Sequence, residues 1–168
     1  MMKKIKFLIP LLFMLFLCVK SSTQEKADSV NKLHYKYGLG LGIGSTTGYG
    51  LSFRYIPNKF GAQISFAPFK DNYSTQISLG ITFLFNLIET DKTNFFIYEG
   101  NAYSYNKYQN ESYFAGSNNS SYWNNGIGIG IEFIILKRVG FNIMGGYGGY
   151  HNFTSINITG ETGLYFKF

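Results

Sequence analysis

The chain has 168 residues, among them 20 Gly, 17 Phe and 14 Tyr, and only 14% are charged. Gly destabilises helices and aromatics favour a pleated surface, which argues against a helical bundle. A hydrophobic content of 45% argues against disorder. Much of the net charge of +6 sits at the N-terminus: beyond residue 22, 11 basic residues face 9 acidic ones. No basic stripe remains to hold nucleic acid. Cys18 is the only cysteine, so no internal disulfide can form.

Residues 1–22 read as a signal peptide. Lys3, Lys4 and Lys6 precede Phe7 to Val19, thirteen residues without charge. A spanning helix needs ~20 apolar residues, whereas a signal peptide needs a basic start and ~7–15. Cleavage is expected between Ser21 and Thr23. Lipid modification of Cys18 is a minor alternative, because Leu17 stands where such signals carry a small residue. A short segment, 23–33, then leads to a β domain over 34–168. No later stretch approaches eighteen consecutive apolar residues, so this part cannot cross a membrane as helices.

From residue 34 onward the pattern has period two, the signature of strands with unlike faces. In strand 34–44, Tyr35, Tyr37, Leu39, Leu41 and Ile43 share one face; Lys36, Gly38, Gly40, Gly42 and Gly44 share the other. Ser45 to Thr47 reads as a tight turn. Strand 48–56 sets Tyr49, Leu51, Phe53 and Tyr55 against Gly50, Ser52 and Arg54. After a turn at 57–59, strand 60–68 sets Ala62, Ile64 and Phe66 against Gln63 and Ser65. A polar loop, 70–74, leads to strand 76–85, with Ile77, Leu79, Ile81, Phe83 and Phe85 opposite Gln76, Ser78, Gly80 and Thr82.

A longer turn, 86–94, precedes strand 95–104, where Phe96, Tyr98 and Ala102 are read as apolar-facing and Glu99, Asn101 and Tyr103 as polar-facing. Here Phe95 and Ile97 blur the alternation. Residues 104–123 form one long loop rich in Asn, Ser and Tyr. Strand 125–135 alternates Ile127, Ile129, Ile131 and Phe133 with Gly126, Gly128, Gly130 and Glu132. After the turn at 136–139, strand 140–150 sets Phe141, Ile143 and Tyr147 against Asn142, Met144 and Gly146. Strand 155–168 sets Ile156, Ile158, Thr162, Leu164, Phe166 and Phe168 against Asn157, Thr159, Glu161, Tyr165 and Lys167.

Eight antiparallel strands of about ten residues suit a bilayer, which needs ~9–11 per strand; globular strands average ~5–6. The apolar faces are uncharged on all eight strands. Aromatics gather at strand ends as interfacial girdles do: Tyr35, Tyr37, Tyr49, Tyr55, Phe83, Phe85, Phe96, Tyr98, Tyr147, Phe166 and Phe168. The last strand carries Leu164, Phe166 and Phe168 in phase. That ending resembles the C-terminal signature of bacterial outer-membrane barrels. The mature chain resembles the small porin-like outer-membrane β-barrel family, which includes outer membrane protein X and the membrane domain of outer membrane protein A.

The resemblance implies an up-and-down transmembrane β-barrel with its apolar face outward and both termini in the periplasm. It also implies contact with outer-membrane lipids and recognition by the barrel-assembly machinery through Leu164, Phe166 and Phe168. The turns at 57–59, 86–94 and 136–139 are then periplasmic. The short Ser45–Thr47 turn departs from the long outer loops usual in that family, and barrels of this size share no single function.

Eight strands enclose room for side chains, not a wide pore. A structural ion-pair cluster of Lys36, Arg54, Glu99, Glu132 and Glu161 is expected in the lumen; solvation of the same groups by lumen water is the rival reading. The inward glycines leave space that either large side chains such as Tyr103 and Tyr165 fill, or that opens as a cavity. The G-x-G runs are not phosphate loops, since no helix follows. His34 and His151 lack neighbouring ligands, so no metal or cofactor is expected. A lipid A acylhydrolase or acyltransferase would need His151, Ser155 and Glu161 together, but pleat parity turns Glu161 into the lumen. The rings of loop 104–123 (Tyr105, Tyr108, Tyr113, Phe114, Tyr122 and Trp123) suit contact with a surface protein or glycan. They also suit packing over the barrel mouth, the reading the residues alone favour. The sequence therefore reads as a non-enzymatic envelope or surface-interaction protein. A lipid A enzyme and a narrow channel or small-ligand carrier are the alternatives, and a soluble secreted β-barrel is the non-membrane rival.

Overall fold

A computed structural model describes residues 35–71, 73–108 and 118–168. Residues 1–22, read above as a signal peptide, the segment 23–33, and residues 109–117 of the expected long loop lie outside the described residues. Eight strands run in order: β1 (Tyr37–Ile43), β2 (Gly50–Tyr55), β3 (Phe60–Lys70), β4 (Ser74–Glu89), β5 (Thr93–Tyr108), β6 (Asn118–Leu136), β7 (Val139–Tyr150) and β8 (Ser155–Lys167). Each pairs antiparallel with the next, and β8 closes on β1, giving a closed barrel. Closure removes the open edge along the span where all eight strands pair. Toward the mouth β1 and β2 stop short, and residues 155–161 of β8 and 67–70 of β3 pair on one side only. The end where β1 begins and β8 ends is termed the base, and the other end the mouth.

Which face points outward decides the class. Leu79, Ile129 and Phe166 are 41%, 54% and 50% exposed, whereas Ser52, Ser65, Thr82 and Asn142 on the opposite faces are sealed inside. Burying one such apolar side chain fully is worth ~1.5–3 kcal/mol. An apolar jacket on this scale would be costly in water and is at home in hydrocarbon. Aromatic pairs stack at the base, where Tyr37 lies 5.1 Å from Tyr55 and 5.9 Å from Phe168, ring to ring.

β1 and β2 are shorter than the expected 34–44 and 48–56, at 7 and 6 residues, because residues 44–49 leave the wall. The strands depart from the sequence reading in two further ways. First, β4, β5 and β6 are longer than expected, at 16, 16 and 19 residues. Residues 104–108 and 118–123 belong to the β5–β6 ladder, which pairs as far as Tyr108 with Asn118. Polar side chains there made strand look like loop, yet backbone pairing tolerates them where neither face is buried. Second, β5 faces the other way. Phe96, Tyr98 and Ala102 are buried, while Glu99 and Asn101 lie on the outer face beside Phe83, Ile127 and Ile81. The cause is packing. Phe96 and Tyr98 pair with Gly130 and Gly128 of β6, whose missing side chains leave inward room for two rings. A Cβ on Gly130 would run into the Phe96 ring. Phe96 and Tyr98 therefore join Leu84 and Met144 in a small internal apolar cluster and not the girdle.

Candidate functional site

The lumen carries the polar chemistry of this molecule, at two levels. Near the base, Arg54 and Gln63 are direct partners on β2 and β3. Arg54 Nε and Nη2 donate to Gln63 Oε1 at 3.1 and 2.8 Å, and Nη1 donates to Glu132 Oε1 at 3.1 Å. Glu132 lies on β6, four strands from β2, so this ion pair spans the bore. Lys167 Nζ and Asn94 Nδ2 donate to the second carboxylate oxygen, Oε2. The Arg54 guanidinium sits 3.9 Å from the centre of the Tyr165 ring, a cation–π contact. Tyr165 OH donates to Ser52 Oγ, which bonds Ser65, itself an acceptor from Gln63. Gly38 of β1 pairs with both Arg54 and Lys167, so the side chains of β2 and β8 meet across it. With both Glu132 oxygens engaged, the pair meets the condition under which burying charge is tolerable.

Of the five residues expected to cluster, the structure brings together Arg54 and Glu132 and adds Lys167. Lys36 precedes β1 and is exposed, so the β1 alternation does not govern its side chain. Glu99 lies on the outer wall because β5 is reversed. Glu161 is inside but belongs to the second level.

That second level is built from main chain. Residues 44–49 do not form a tight turn outside the barrel; they fold into it. Thr46 and Thr47 are fully buried. Thr46 N donates to Glu161 Oε1 at 3.1 Å, its hydroxyl donates to the same oxygen, and Thr159 Oγ1 adds a third bond at 3.0 Å. Asn124 Nδ2 holds the Ser45 carbonyl at 3.0 Å, and Tyr49 N donates to Ser78 Oγ. The loop can turn back because Gly48 and Gly50 have φ of 78° and 112°, which other residues rarely adopt. It can enter because Gly100, Gly126 and Gly148 pair in one row across β5, β6 and β7. A Cβ on Gly126 would overlap Thr46, and one on Gly80 would overlap the Thr47 carbonyl. The inward glycines are thus a seat for the loop. Elsewhere side chains fill the lumen: Tyr165 does so as expected, whereas Tyr103 faces outward against Trp123.

Above the loop a cavity of about 410 Å³ opens at the mouth, bordered by Tyr49, Tyr122, Asn124, Tyr150 and His151. His151, Asn152 and Phe153 have positive φ in the β7–β8 turn. Asn152 pins that turn to Trp123 through two hydrogen bonds. Ser155 is exposed at the start of β8, and Glu161 is buried six residues further along. At ~3.3 Å per residue this puts them ~20 Å apart. His151, Ser155 and Glu161 therefore do not converge. Among the described residues no group of three His, Cys, Asp or Glu converges on a metal position. His34 lies outside the described residues.

Apolar outside, polar and filled inside, antiparallel and closed, the chain has the fold of the small outer-membrane β-barrels. Among solved structures it is similar to the N-terminal β-barrel domain of Pseudomonas aeruginosa OprF. That match has 12% identity and a TM-score of 0.56 over 79% of this chain and 95% of that one. It is also similar to Neisserial surface protein A, at 11% identity and a TM-score of 0.50 over 79% and 93%. Likeness at this identity speaks to the fold alone. No family model matches the chain, and no curated protein matches it.

Proposed function

We propose that the chain is a non-enzymatic bacterial outer-membrane barrel that serves envelope structure and surface contact. One observation carries this reading: the lumen is filled at two levels, by the Arg54–Glu132 pair across the bore and by the inserted Thr46–Thr47 segment. A general porin needs an open bore. The apolar wall supports contact with outer-membrane lipids. Residues 1–22 act as the export signal and 23–33 as a short periplasmic lead into the barrel at 34–168. The base and both termini face the periplasm, and the outward-facing Leu164, Phe166 and Phe168 on and beside β8 are read by the barrel-assembly machinery. Contact with a surface protein or glycan is made at 104–123, now seen to be largely the mouth-side extension of β5 and β6. It presents Tyr108 and Trp123 exposed.

Two measurements test the reading. The membrane-fraction protein should show heat-modifiable gel mobility, and recovery in the soluble periplasmic fraction would overturn the placement. In planar bilayers the protein should conduct far less than an open porin; porin-sized conductance would overturn the structural role.

A further inference from the structure

The outer wall carries a patch that lipid does not explain. On β5 to β8 the ladder sets outward residues in rows. One row is Asn101, Asn125 and Gly149; the next is Glu99, Ile127, Tyr147 and Ile158; the next is Ile97, Ile129, Gly145 and Gly160. Glu99 stands midway between the outward rings of Phe95 and Tyr103, ~13 Å along the strand from each. A strand tilt of ~35–45° reduces that to ~10 Å in depth, so the carboxylate lies near the middle of an apolar band ~25 Å tall. Asn101 Nδ2 donates to Glu99 Oε1 at 2.7 Å, and Asn125 Nδ2 donates to Asn101 Oδ1. Among the described residues no cation pairs with Glu99. An ionisable group at such depth marks a site of interaction.

The glycines of the lower row supply an independent observation. Inward glycines such as Gly40, Gly80, Gly126 and Gly128 are demanded by what lies against them. A Cβ on Gly160, by contrast, would meet nothing within 4 Å, and one on Gly145 would meet only the Thr159 carbonyl at 3.8 Å. Among the described residues nothing requires glycine there. Bare backbone on a membrane-facing wall leaves room for another backbone to approach closely.

We propose that this wall is the face on which a second copy of the chain docks within the membrane, an inference that rests on the membrane placement above. A two-fold axis along the membrane normal, through Ile127, sets β5 of one copy against β7 of the other. The Glu99 and Asn101 side chains of each copy then project over the shallow Gly145–Gly160 wall of its partner. Tyr147, 65% exposed on the same wall, donates its hydroxyl to the partner's carboxylate. The patch thus holds acceptor, donors and a recess on one surface, which is the self-complementarity an isologous contact needs.

The test uses the full-length chain with Cys18→Ser, oxidised in its native membranes by oxygen with copper–phenanthroline. Ile127→Cys should give a disulfide-linked dimer at least tenfold more abundant than Leu51→Cys, which lies on β2 at the opposite wall. Adding Glu99→Leu, Tyr147→Phe or Gly160→Leu should lower the dimer at least fivefold while heat-modifiable mobility persists, since none of these side chains points inward. Equal cross-linking at 51 and 127, an adduct of Ile127→Cys with a different protein, or a dimer indifferent to all three changes would overturn the proposal. A membrane-bound monomer sinks the dimer alone, whereas loss of the chain from the membrane fraction sinks the placement as well.

Discussion

The base and mouth halves of the lumen face the same problem, an interior with only a small apolar cluster to fill it, and solve it differently. At the base, long side chains from opposite walls meet. Arg54 and Lys167 converge on Glu132, with Gln63, Asn94 and Tyr165 completing the bonds. At the mouth, a piece of backbone enters and the walls shed their side chains to admit it. The first solution depends on charge balance, and so is sensitive to the loss of a partner. The second depends on shape, and so is sensitive to added bulk.

The largest expected effect breaks the base. Glu132→Ala strands the buried Arg54 and the half-buried Lys167, and loss of a buried partner costs about 3–5 kcal/mol. Urea unfolding in lipid vesicles, followed by gel mobility, should show it. Arg54→Ala should cost less, because Lys167 still faces Glu132. Unchanged denaturant resistance in both variants would mean that lumen water already solvates these groups. Neither change should open the mouth.

Bulk at the seat should do the reverse. Gly126→Leu places a side chain where Thr46 sits, and overpacking costs about 1–3 kcal/mol. The inserted segment should leave, becoming open to protease at residues 44–49 and raising single-channel conductance. A variant that stays protease-resistant and silent would show that the seat does not govern the segment. A milder lesion, Thr46→Val, keeps the shape and removes one hydroxyl donor to Glu161. Leaving part of that carboxylate unserved should cost about 1–3 kcal/mol. Hydrogen exchange should quicken at the Thr46 amide while the base amides stay protected.

The two halves were also unequally legible. The outward stripes of β1, β4, β6 and β8 could be read from alternation, because lipid accepts only one kind of side chain. Inside the barrel that rule weakens, since a lumen accepts Gly, Phe, Ser or Glu. On β5 both faces carry aromatics, so the inner position of Phe96 and Tyr98 follows only from their pairing with Gly130 and Gly128. The same register information reveals the seat: Gly100, Gly126 and Gly148 are scattered in sequence but adjacent on the ladder. Arg54 and Glu132 could be named from parity alone. Lys36 and Glu99 could not be placed, one preceding its strand and the other riding on a reversed one.

The smallest expected effect sharpens the contrast by taking the mouth's bonding pattern out of the interior. Asp71, in the β3–β4 turn, accepts from the backbone N–H of Tyr73 at 2.8 Å, from that of Ser74, and from the Ser74 hydroxyl at 3.0 Å. Glu161 receives a similar set from Thr46 and Thr159, but there it is enclosed, whereas Asp71 is exposed. The backbone donors, Tyr73 first, hold the Asp71 carboxyl below the usual carboxylate range. A depressed folded value means that the turn gains its stability fully above the unfolded pKa and loses it as pH falls through the folded one. Carbon-13 NMR of the Asp71 carboxyl should therefore give a midpoint below that of an ordinary aspartate. The Ser74 amide should exchange faster only below that midpoint, while the unfolding transition of the barrel stays where it was. If Asp71→Asn instead shifts global stability as far as Thr46→Val does, enclosure is not what makes the mouth network matter.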